Sequence, residues 1–225
     1  MIKENLLNIF AQISQGNNLG EKISLVGATK TISVDVINFA IENGLDIVAE
    51  NRVQEFREKT DFISKKAKQH FIGHLQTNKV KYIVGRVELI HSVDNENLAQ
   101  TISKEAVKKN VVQQILCEIN IGGELSKSGF SPIDAEQKIL NIAQLENLKV
   151  VGLMAMLPHT DNQNLLKILC EKMRALYENL KNKGLPFEHL SMGMSSDFKI
   201  AIENGSNMIR IGSQIFGKRE YDIKK

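Results

Sequence analysis

The chain has 225 residues, of which 42% are hydrophobic and 24% are charged, and this composition is typical of a globular protein with one sizeable core. Its net charge of +3 is too small to indicate a nucleic-acid partner, so none is predicted. No run of about 18 apolar residues occurs, and the sequence therefore predicts no membrane-spanning helix.

The opening segment, residues 1–14, is predicted to form an amphipathic helix. Its charged residues and the lack of a small-residue cleavage site argue against a signal peptide, so a cytoplasmic location is expected. Cys117 and Cys170 fall in predicted core segments and form no Cys-x-x-Cys arrangement, which is typical of reduced core cysteines.

Eight short apolar runs then alternate with longer amphipathic stretches. In chain order the runs are ISLVGAT, LDIVAE, HFIG, VELIHSV, VVQQILCEINI, LKVVGLMAM, FEHLSMG and NMIRIG. Helices are predicted to follow the first seven, from near residues 33, 51, 77, 94, 131, 161 and 196, and a short turn to follow the last. This alternation predicts a single α/β domain over residues 1–225, a (β/α)8 barrel of the TIM type with an extra N-terminal helix.

An open doubly wound sheet is the alternative architecture. It normally carries a glycine-rich phosphate loop after its first strand, whereas here Lys30 stands in that position and G-x-G-x-x-G occurs nowhere. The segment GSQIFGKR, residues 212–219, comes close to the Walker pattern, but Arg219 stands where Ser or Thr is required. Neither nucleotide-binding motif is therefore predicted.

In a barrel of this kind, functional residues lie at the C-terminal ends of the strands. The segments SMGMSSDF and RIGSQIFG end strands seven and eight. Gly193 and Gly212 permit close approach of the backbone, while Ser195, Ser196 and Ser213 supply hydroxyl groups ahead of helical turns whose N–H groups attract anions. Each segment alone is consistent with a tight turn, but together on adjacent loops they predict a phosphate site.

Arg210 lies inside the last predicted strand, between Ile209 and Ile211. The alternation of side chains along a strand predicts that Arg210 points into the barrel if the isoleucines face the helices. Because a buried guanidinium group needs a partner, we expect either a structural ion pair, with Glu50 or Glu118, or an atom of a ligand.

Lys30 follows the first apolar run, where a barrel strand has no structural need for an ammonium group. A lysine at a strand end can be an ordinary surface residue with its head group in water. An amine partly buried in an apolar barrel mouth, however, has a lowered pKa, and its neutral form attacks carbonyl groups. Beside a phosphate site and Arg210, Lys30 predicts a ligand with an aldehyde and a phosphate, as in pyridoxal 5'-phosphate.

Seven motifs occur in one order along the chain. They are TK at 29–30, ENRVQE at 50–55, HFIGHLQTNK at 70–79, INIGGELSKSGF at 119–130, GLMAM at 152–156, LSMGMSSDF at 190–198 and IRIGSQIFG at 209–217. Over nearly the whole chain these motifs resemble those of the pyridoxal phosphate homeostasis proteins (the YggS and PROSC type), which are related to the N-terminal domain of alanine racemase.

The resemblance implies a single barrel that carries pyridoxal 5'-phosphate as a Schiff base on a lysine. It assigns the phosphate to the loops after strands seven and eight and the pyridine nitrogen to the arginine of the last strand. The residues that it assigns to the cofactor site are Lys30, Asn51, Ser195, Arg210, Gly212 and Ser213.

Members of this family are regarded as binding proteins that keep vitamin B6 in balance, and no catalysis is established for them. The resemblance therefore implies a role in intracellular pyridoxal phosphate homeostasis and delivery, with apo forms of pyridoxal-phosphate enzymes as partners and a monomeric state. The alternative is a pyridoxal-phosphate enzyme, such as an amino-acid racemase of weak activity. A racemase of this fold uses an acid/base from a further domain, and we expect none here.

The chain departs from the family pattern near the proposed lysine. Ile32 and Ser33 replace a second lysine and a proline, Ala49 replaces a glycine, and Arg52 replaces a tyrosine. Any role of the second lysine in cofactor exchange is therefore not expected of this chain, whereas Lys30 itself is intact.

The segment HLQTNK, residues 74–79, has two open interpretations. With Asn78 and Lys79 it could form a second anion site, or it could simply cap a short helix. His70, just before it, is interpreted as a hydrogen-bonded core histidine rather than a residue that lines the cofactor site.

Overall fold

The computed structural model describes residues 1–124 and 127–217. Lys218 and Arg219, which end the segment that resembles a Walker loop, lie outside the described residues, as do residues 125–126 of the motif at 119–130.

Eight parallel strands form a closed barrel in which each strand pairs with the next and β1 pairs with β8. The strands are β1 (Ser24–Ala28), β2 (Ile47–Glu50), β3 (Lys68–Phe71), β4 (Leu89–Val93), β5 (Gln113–Ile119), β6 (Leu148–Ala155), β7 (His189–Ser191) and β8 (Met208–Ile211). The predicted barrel is thus confirmed, and the open doubly wound sheet is wrong.

The connections between strands are helical, as predicted. The α-helices are α1 (Ile2–Ile13), α2 (Val34–Glu42), α3 (Val53–Lys59), α4 (Glu96–Lys109), α5 (Ala135–Ile142), α6 (Gln163–Asn182), α7 (Phe198–Glu203) and α8 (Ser213–Phe216). Two 3₁₀ helices cover Thr60–Phe62 and Thr77–Tyr82. Several helices begin about two residues later than predicted, because the preceding residues act as caps; Asn95 and Asn162, for example, each accept a backbone N–H of the first turn.

The strand residues divide between two sides of the barrel wall. Residues from six of the eight strands fill the interior, among them Val26, Leu116, Val151 and Met208. The residues that alternate with them along each strand face outward, and Ile209 and Ile211, for example, pack against the surrounding helices. This alternation places Arg210 inside the barrel, as predicted from the sequence.

Helix α1 is the addition to the barrel that the sequence predicts. It packs with α8 and α2 against the outer face of β1 and β8, through Leu6 and Ile9, and Asn5 donates a hydrogen bond to the carbonyl of Ile215. Cys117 and Cys170 are both buried free thiols. Among the helices of the described ranges, none combines the length and the apolar character needed to cross a bilayer.

Candidate functional site

A cavity of about 520 Å³ opens at the C-terminal ends of the strands, and we call it the mouth cavity. All six residues that the sequence assigns to the cofactor site line it: Lys30, Asn51, Ser195, Arg210, Gly212 and Ser213. They come from the ends of four strands, β1, β2, β7 and β8, so only closure of the barrel brings them together. Other lining residues, including Ile72, Met156 and Met194, were not predicted, and His74 of the segment HLQTNK lines the cavity as well.

Lys30 lies in a tight turn whose neighbours are both fixed. Thr29 donates its backbone N–H to the carbonyl of Ala49 at 2.9 Å, and its hydroxyl oxygen lies 3.1 Å from the same carbonyl oxygen. Thr31 has a φ of +65°, which is rare for a residue with a branched side chain, and its N–H donates to Glu55 Oε2 at 2.7 Å. The half-buried Lys30 side chain is thus presented to the cavity from a backbone held on both sides.

A buried ion-pair network, the Lys59 network, supports this turn from outside the barrel. Lys59 Nζ donates to Glu50 Oε1 and Glu55 Oε2, both at 2.9 Å, and to the carbonyl of Thr29 at 3.1 Å. The Thr29 hydroxyl donates to the same Glu50 oxygen at 2.7 Å. Glu50 is therefore committed to Lys59 and is not the partner of Arg210, which removes one of the two ion pairs considered from the sequence.

The two carboxylates of the Lys59 network have opposite pKa shifts. Burial raises the pKa of Glu50 above its ordinary value, although Lys59 and Thr29 oppose this rise. Burial also raises the pKa of Glu55, but the hydrogen bonds from Thr31 and Lys59 outweigh it and lower that pKa overall. Lys59 thus lowers the pKa of both carboxylates against the effect of burial.

Arg210 is only 6% exposed and is held by neutral acceptors. Its Nη1 donates to the carbonyl and the hydroxyl of Ser191, at 3.0 and 2.6 Å, and its Nη2 donates to the carbonyl of Ala155 at 3.0 Å. Burial lowers the pKa of Arg210 to about 10, and the Glu118 carboxyl opposes this, so the guanidinium group stays charged at neutral pH. Glu118 acts on Arg210 through space rather than through one of these hydrogen bonds.

Glu118 is the buried acid of the barrel interior, since its neighbour Cys117 faces outward. Burial raises the pKa of Glu118 to about 7, the Asp94 carboxylate raises it further, and Arg210 opposes the rise. This carboxyl therefore changes its charge near neutral pH.

A chain of three side chains, the interior chain, continues from Arg210 across the barrel. His91 Nδ1 lies 3.4 Å from Ser191 Oγ, and His91 Nε2 lies 3.0 Å from His70 Nδ1. Because arginine only donates, the Ser191 hydroxyl accepts from Arg210 and turns its own hydrogen to His91 Nδ1. The Nε2–H of His91 then donates to His70, and the Nε2–H of His70 is left buried with no partner among the described residues.

Burial keeps both histidines of the interior chain neutral. It lowers the pKa of His70 to about 3 and that of His91 well below its ordinary range. His70 is thus a hydrogen-bonded core histidine, as predicted. His91 was missed, although the alternation from the inward-facing Leu89 through Ile90 would have placed it inside the barrel.

The loops after β7 and β8 meet at the rim of the cavity. Ser213 Oγ donates to Ser195 Oγ at 3.1 Å, and Gln214 Nε2 donates to the carbonyl of Ser195 at 2.6 Å. Gly193 has a φ of +95°, and a Cβ there would lie 2.8 Å from the Cα of Phe198, so only glycine lets the first loop fold this closely. Two hydroxyl groups and the first turn of α8 are thereby directed to one place.

Asn51 and Gly73 form the opposite side of the cavity. A Cβ on Gly73 would lie 1.9 Å from the carbonyl oxygen of Asn51, so glycine is required at this approach. Asn51 Oδ1 is buried, and no hydrogen-bond partner is found for it in the described part of the chain. Next to it, His74 Nδ1 lies 3.3 Å from Asp94 Oδ2. An unpaired acceptor on the wall of a polar cavity is a place where a ligand donor fits.

Comparison with known proteins agrees with this architecture. Residues 22–220 match the family model described as alanine racemase, N-terminal domain. The chain is 42% identical to the pyridoxal phosphate homeostasis protein of Aquifex aeolicus over 98% of this chain and 96% of that protein, and 32% identical to that of Vibrio cholerae over 98% and 97%.

Solved structures give the same result. PipY of Synechococcus elongatus, with PLP bound, superimposes with a TM-score of 0.84 at 29% identity, over 96% of this chain and all of that one. Alanine racemase of Clostridium difficile has a TM-score of 0.82 at 17% identity, over 98% of this chain and 57% of that one, which shows a common fold. The chain therefore belongs to the alanine racemase N-terminal domain family, among the pyridoxal phosphate homeostasis proteins.

Proposed function

We propose that this protein binds pyridoxal 5'-phosphate in the mouth cavity, holds it covalently on Lys30, and serves vitamin B6 homeostasis by storing and delivering it. The observation that carries the proposal is the convergence of an amine, a guanidinium group and a pair of hydroxyls on one cavity of about 520 Å³. The family membership and the PLP-bound PipY relative support it.

The residues of the mouth cavity fit this cofactor in their chemistry. Lys30 suits the aldehyde, the Ser195 and Ser213 hydroxyls suit the phosphate, and Arg210 suits the ring nitrogen. Asn51 Oδ1 is a further acceptor on the same wall, with no partner among the described residues. The aldehyde, the phosphate and the ring nitrogen of the ligand thus each have a complementary group on the cavity wall.

When bound, the cofactor supplies an aldehyde that condenses with a lysine amine and releases water. The part of the protein is to present the Lys30 amine, and the turn at Thr29 and Thr31 fixes the backbone from which it extends. Arg210 donates hydrogen bonds but accepts none, so it disfavours a proton on a ring nitrogen beside it. This feature weakens carbanion chemistry, although racemases of the fold share it.

A pyridoxal-phosphate enzyme, such as a weak amino-acid racemase, is the second candidate. One observation favours it: His74 lines the mouth cavity beside Lys30 and lies 3.3 Å from Asp94, so an acid/base side chain is at hand. Incubation with L-alanine in deuterated water separates the candidates. We expect no exchange at Cα, whereas rapid exchange that His74→Phe abolishes would establish the enzyme.

We further propose that residues 1–225 form one domain that works as a monomer in the cytoplasm, with apo pyridoxal-phosphate enzymes as recipients. The closed barrel, the two buried free thiols and the absence of a Cys-x-x-Cys arrangement support this setting. Transfer to an apo enzyme, with and without a trap for free cofactor, tests delivery. Transfer that the trap leaves unchanged is direct, and transfer that it abolishes contradicts a direct handover.

The binding proposal is tested by absorption spectroscopy of the protein loaded with pyridoxal 5'-phosphate. We expect the band of lysine-bound cofactor in the wild type, its loss in Lys30→Ala, and its retention in Lys172→Ala, which removes an exposed lysine of α6. A band that survives in Lys30→Ala would contradict the assignment.

A further inference from the structure

A second cavity, of about 750 Å³, opens beside the mouth cavity, and we call it the basic cleft. Asn51 and His74 line both cavities, so the two share a wall. The remaining lining comes from residues 52–58, in and just before α3, and from residues 76–86, which include the 3₁₀ helix after β3. The basic cleft therefore flanks the entrance to the proposed cofactor site on the side of β2 and β3.

Cationic side chains dominate the basic cleft. Arg52, Arg57 and Lys79 line it, all exposed, and none of them forms an ion pair with a carboxylate in the described ranges. Arg86 also lines it but is paired with Asp61 at 2.7 Å. Set against these cations, a single carboxylate contributes to the lining, so the cleft has an excess of positive charge.

Two contacts show how these side chains are arranged. The Arg57 guanidinium carbon lies 4.4 Å from the centre of the Tyr82 ring, which is a cation–π contact. The acid of the lining, Glu58, accepts a hydrogen bond from Gln54 at 3.1 Å rather than neutralising an arginine. The positive charge of Arg57 is thus presented to the cleft and is not cancelled there.

We propose that the basic cleft binds a phosphate monoester next to the cofactor held on Lys30; this inference rests on the proposed function. A guanidinium group matches phosphate oxygens with a fork of N–H donors, and two of them stand here with Lys79. A phosphate monoester carries close to two negative charges at neutral pH, which suits the excess charge. The volume of the cleft lies in the range of small-molecule sites.

The ligand class follows from the shape of the cleft and from its neighbour. The cations converge on one concavity, whereas a protein partner would need a patch of about 800 Å². A phosphorylated B6 vitamer in the basic cleft would lie beside the cavity that such a molecule enters and leaves. Arg52, just before α3, adds one of the cations of the cleft.

The two interpretations of residues 74–79 are thereby separated. Lys79 lines the basic cleft, whereas Asn78 is not among its lining residues. The 3₁₀ helix begins after Gln76, whose side chain forms no capping hydrogen bond. The anion site is thus the interpretation we adopt, with Lys79 as its residue from this segment.

The test uses the full chain with its first site permanently closed. The protein is loaded with pyridoxal 5'-phosphate and reduced with borohydride, and mass spectrometry verifies one cofactor per chain. Binding of pyridoxine 5'-phosphate, which has no aldehyde and so forms no adducts with lysines, is then measured by calorimetry. We expect one equivalent to bind, at least tenfold more weakly in Arg57→Gln and unchanged in Lys172→Gln, a control with the same loss of charge on α6.

Competition identifies the group that is recognised. Inorganic phosphate should displace the probe, and pyridoxine without phosphate should not bind; equal binding of pyridoxine would overturn the proposal. Circular dichroism and normal loading verify that Arg57→Gln is folded. A chain that loads on Lys30 but binds no probe, or binds it equally well in Arg57→Gln, overturns this inference alone, whereas a chain that does not load overturns the proposed function with it.

Discussion

Two cationic residues from the adjacent strands β1 and β8 line the mouth cavity, and the protein holds them in opposite ways. Lys30 extends from a turn that a charged network fixes, with Lys59 between the carboxylates of Glu50 and Glu55 on the outer side of the barrel wall. Arg210 is fixed inside the barrel by carbonyl groups and a hydroxyl, and neutral histidines continue the chain of hydrogen bonds.

Each cation can act in a different way because its surroundings differ. Within the described ranges, the Lys59 ammonium group contacts only Glu50, Glu55 and the carbonyl of Thr29, so its contribution is to the backbone around Lys30, whose amine is not consumed by any of these ion pairs. Arg210 has acceptors that leave its charge uncancelled, and it faces the cavity as a fixed donor. The surroundings of Lys30 thus present a reactive amine, and those of Arg210 present a permanent charge.

The largest expected effect comes from Lys59→Met, which removes the cation of the Lys59 network. It leaves the buried Glu50 carboxylate without its cation, and we expect a loss of about 4 kcal/mol in the free energy of unfolding, measured by urea denaturation. Lys68→Met, which breaks the exposed pair with Glu88, is the matched control and should cost less than about 1 kcal/mol. Equal losses in the two variants would show that the Lys59 network is not special.

Glu118→Gln tests the acid that faces Arg210. Because burial raises the pKa of Glu118 to about 7, the native state holds its proton more tightly than the unfolded chain, so its contribution to stability falls as pH rises from about 4.5 to about 7. The variant should lack this fall and be more stable than the wild type by about 3 kcal/mol at pH 8. Unfolding at several pH values measures it, with the exposed Glu203→Gln as control; identical pH profiles would contradict the buried titration.

His91→Leu tests the neutral hydrogen bonds of the interior chain, which continue from Arg210. It leaves the Ser191 hydroxyl and His70 Nδ1 without their partner, and we expect a loss of about 2 kcal/mol in stability together with a shifted absorption band of the loaded protein, because Arg210 is less firmly held. His159→Leu, at an exposed histidine, should change neither quantity. A stability loss with an unchanged band would confine the interior chain to a structural role.

The sequence predicts the barrel and the cofactor cavity well for a physical reason. Alternating apolar runs locate the strands, and in a parallel barrel every strand end meets at one rim, so Lys30, Arg210 and the serine loops are predicted together from their places after strands. Arg210 also follows from the alternation of β8, since Ile209 and Ile211 face the helices.

What could not be predicted depends on tertiary contacts between distant segments. Nothing in the sequence around Lys59 distinguishes it from the other lysines of its basic region, because its burial arises only when α3 packs over β1 and β2. Besides a ligand atom, the sequence predicts only acids as partners of Arg210, whereas the structure supplies Ser191 and Ala155, neutral groups that have no signature in a sequence. The basic cleft likewise needs α3 and the segment around Lys79 to be side by side.

The most direct test identifies the lysine that carries the cofactor. Lys30 and Lys59 lie close together, since Lys59 contacts the carbonyl of Thr29. We expect Lys30 to bind the cofactor and Lys59 to hold the turn in place. The protein is loaded with pyridoxal 5'-phosphate, reduced with borohydride and digested, and the modified peptide is identified by mass spectrometry. We expect the modification on Lys30 alone, and modification of Lys59 with Lys30 unmodified would contradict the proposed attachment.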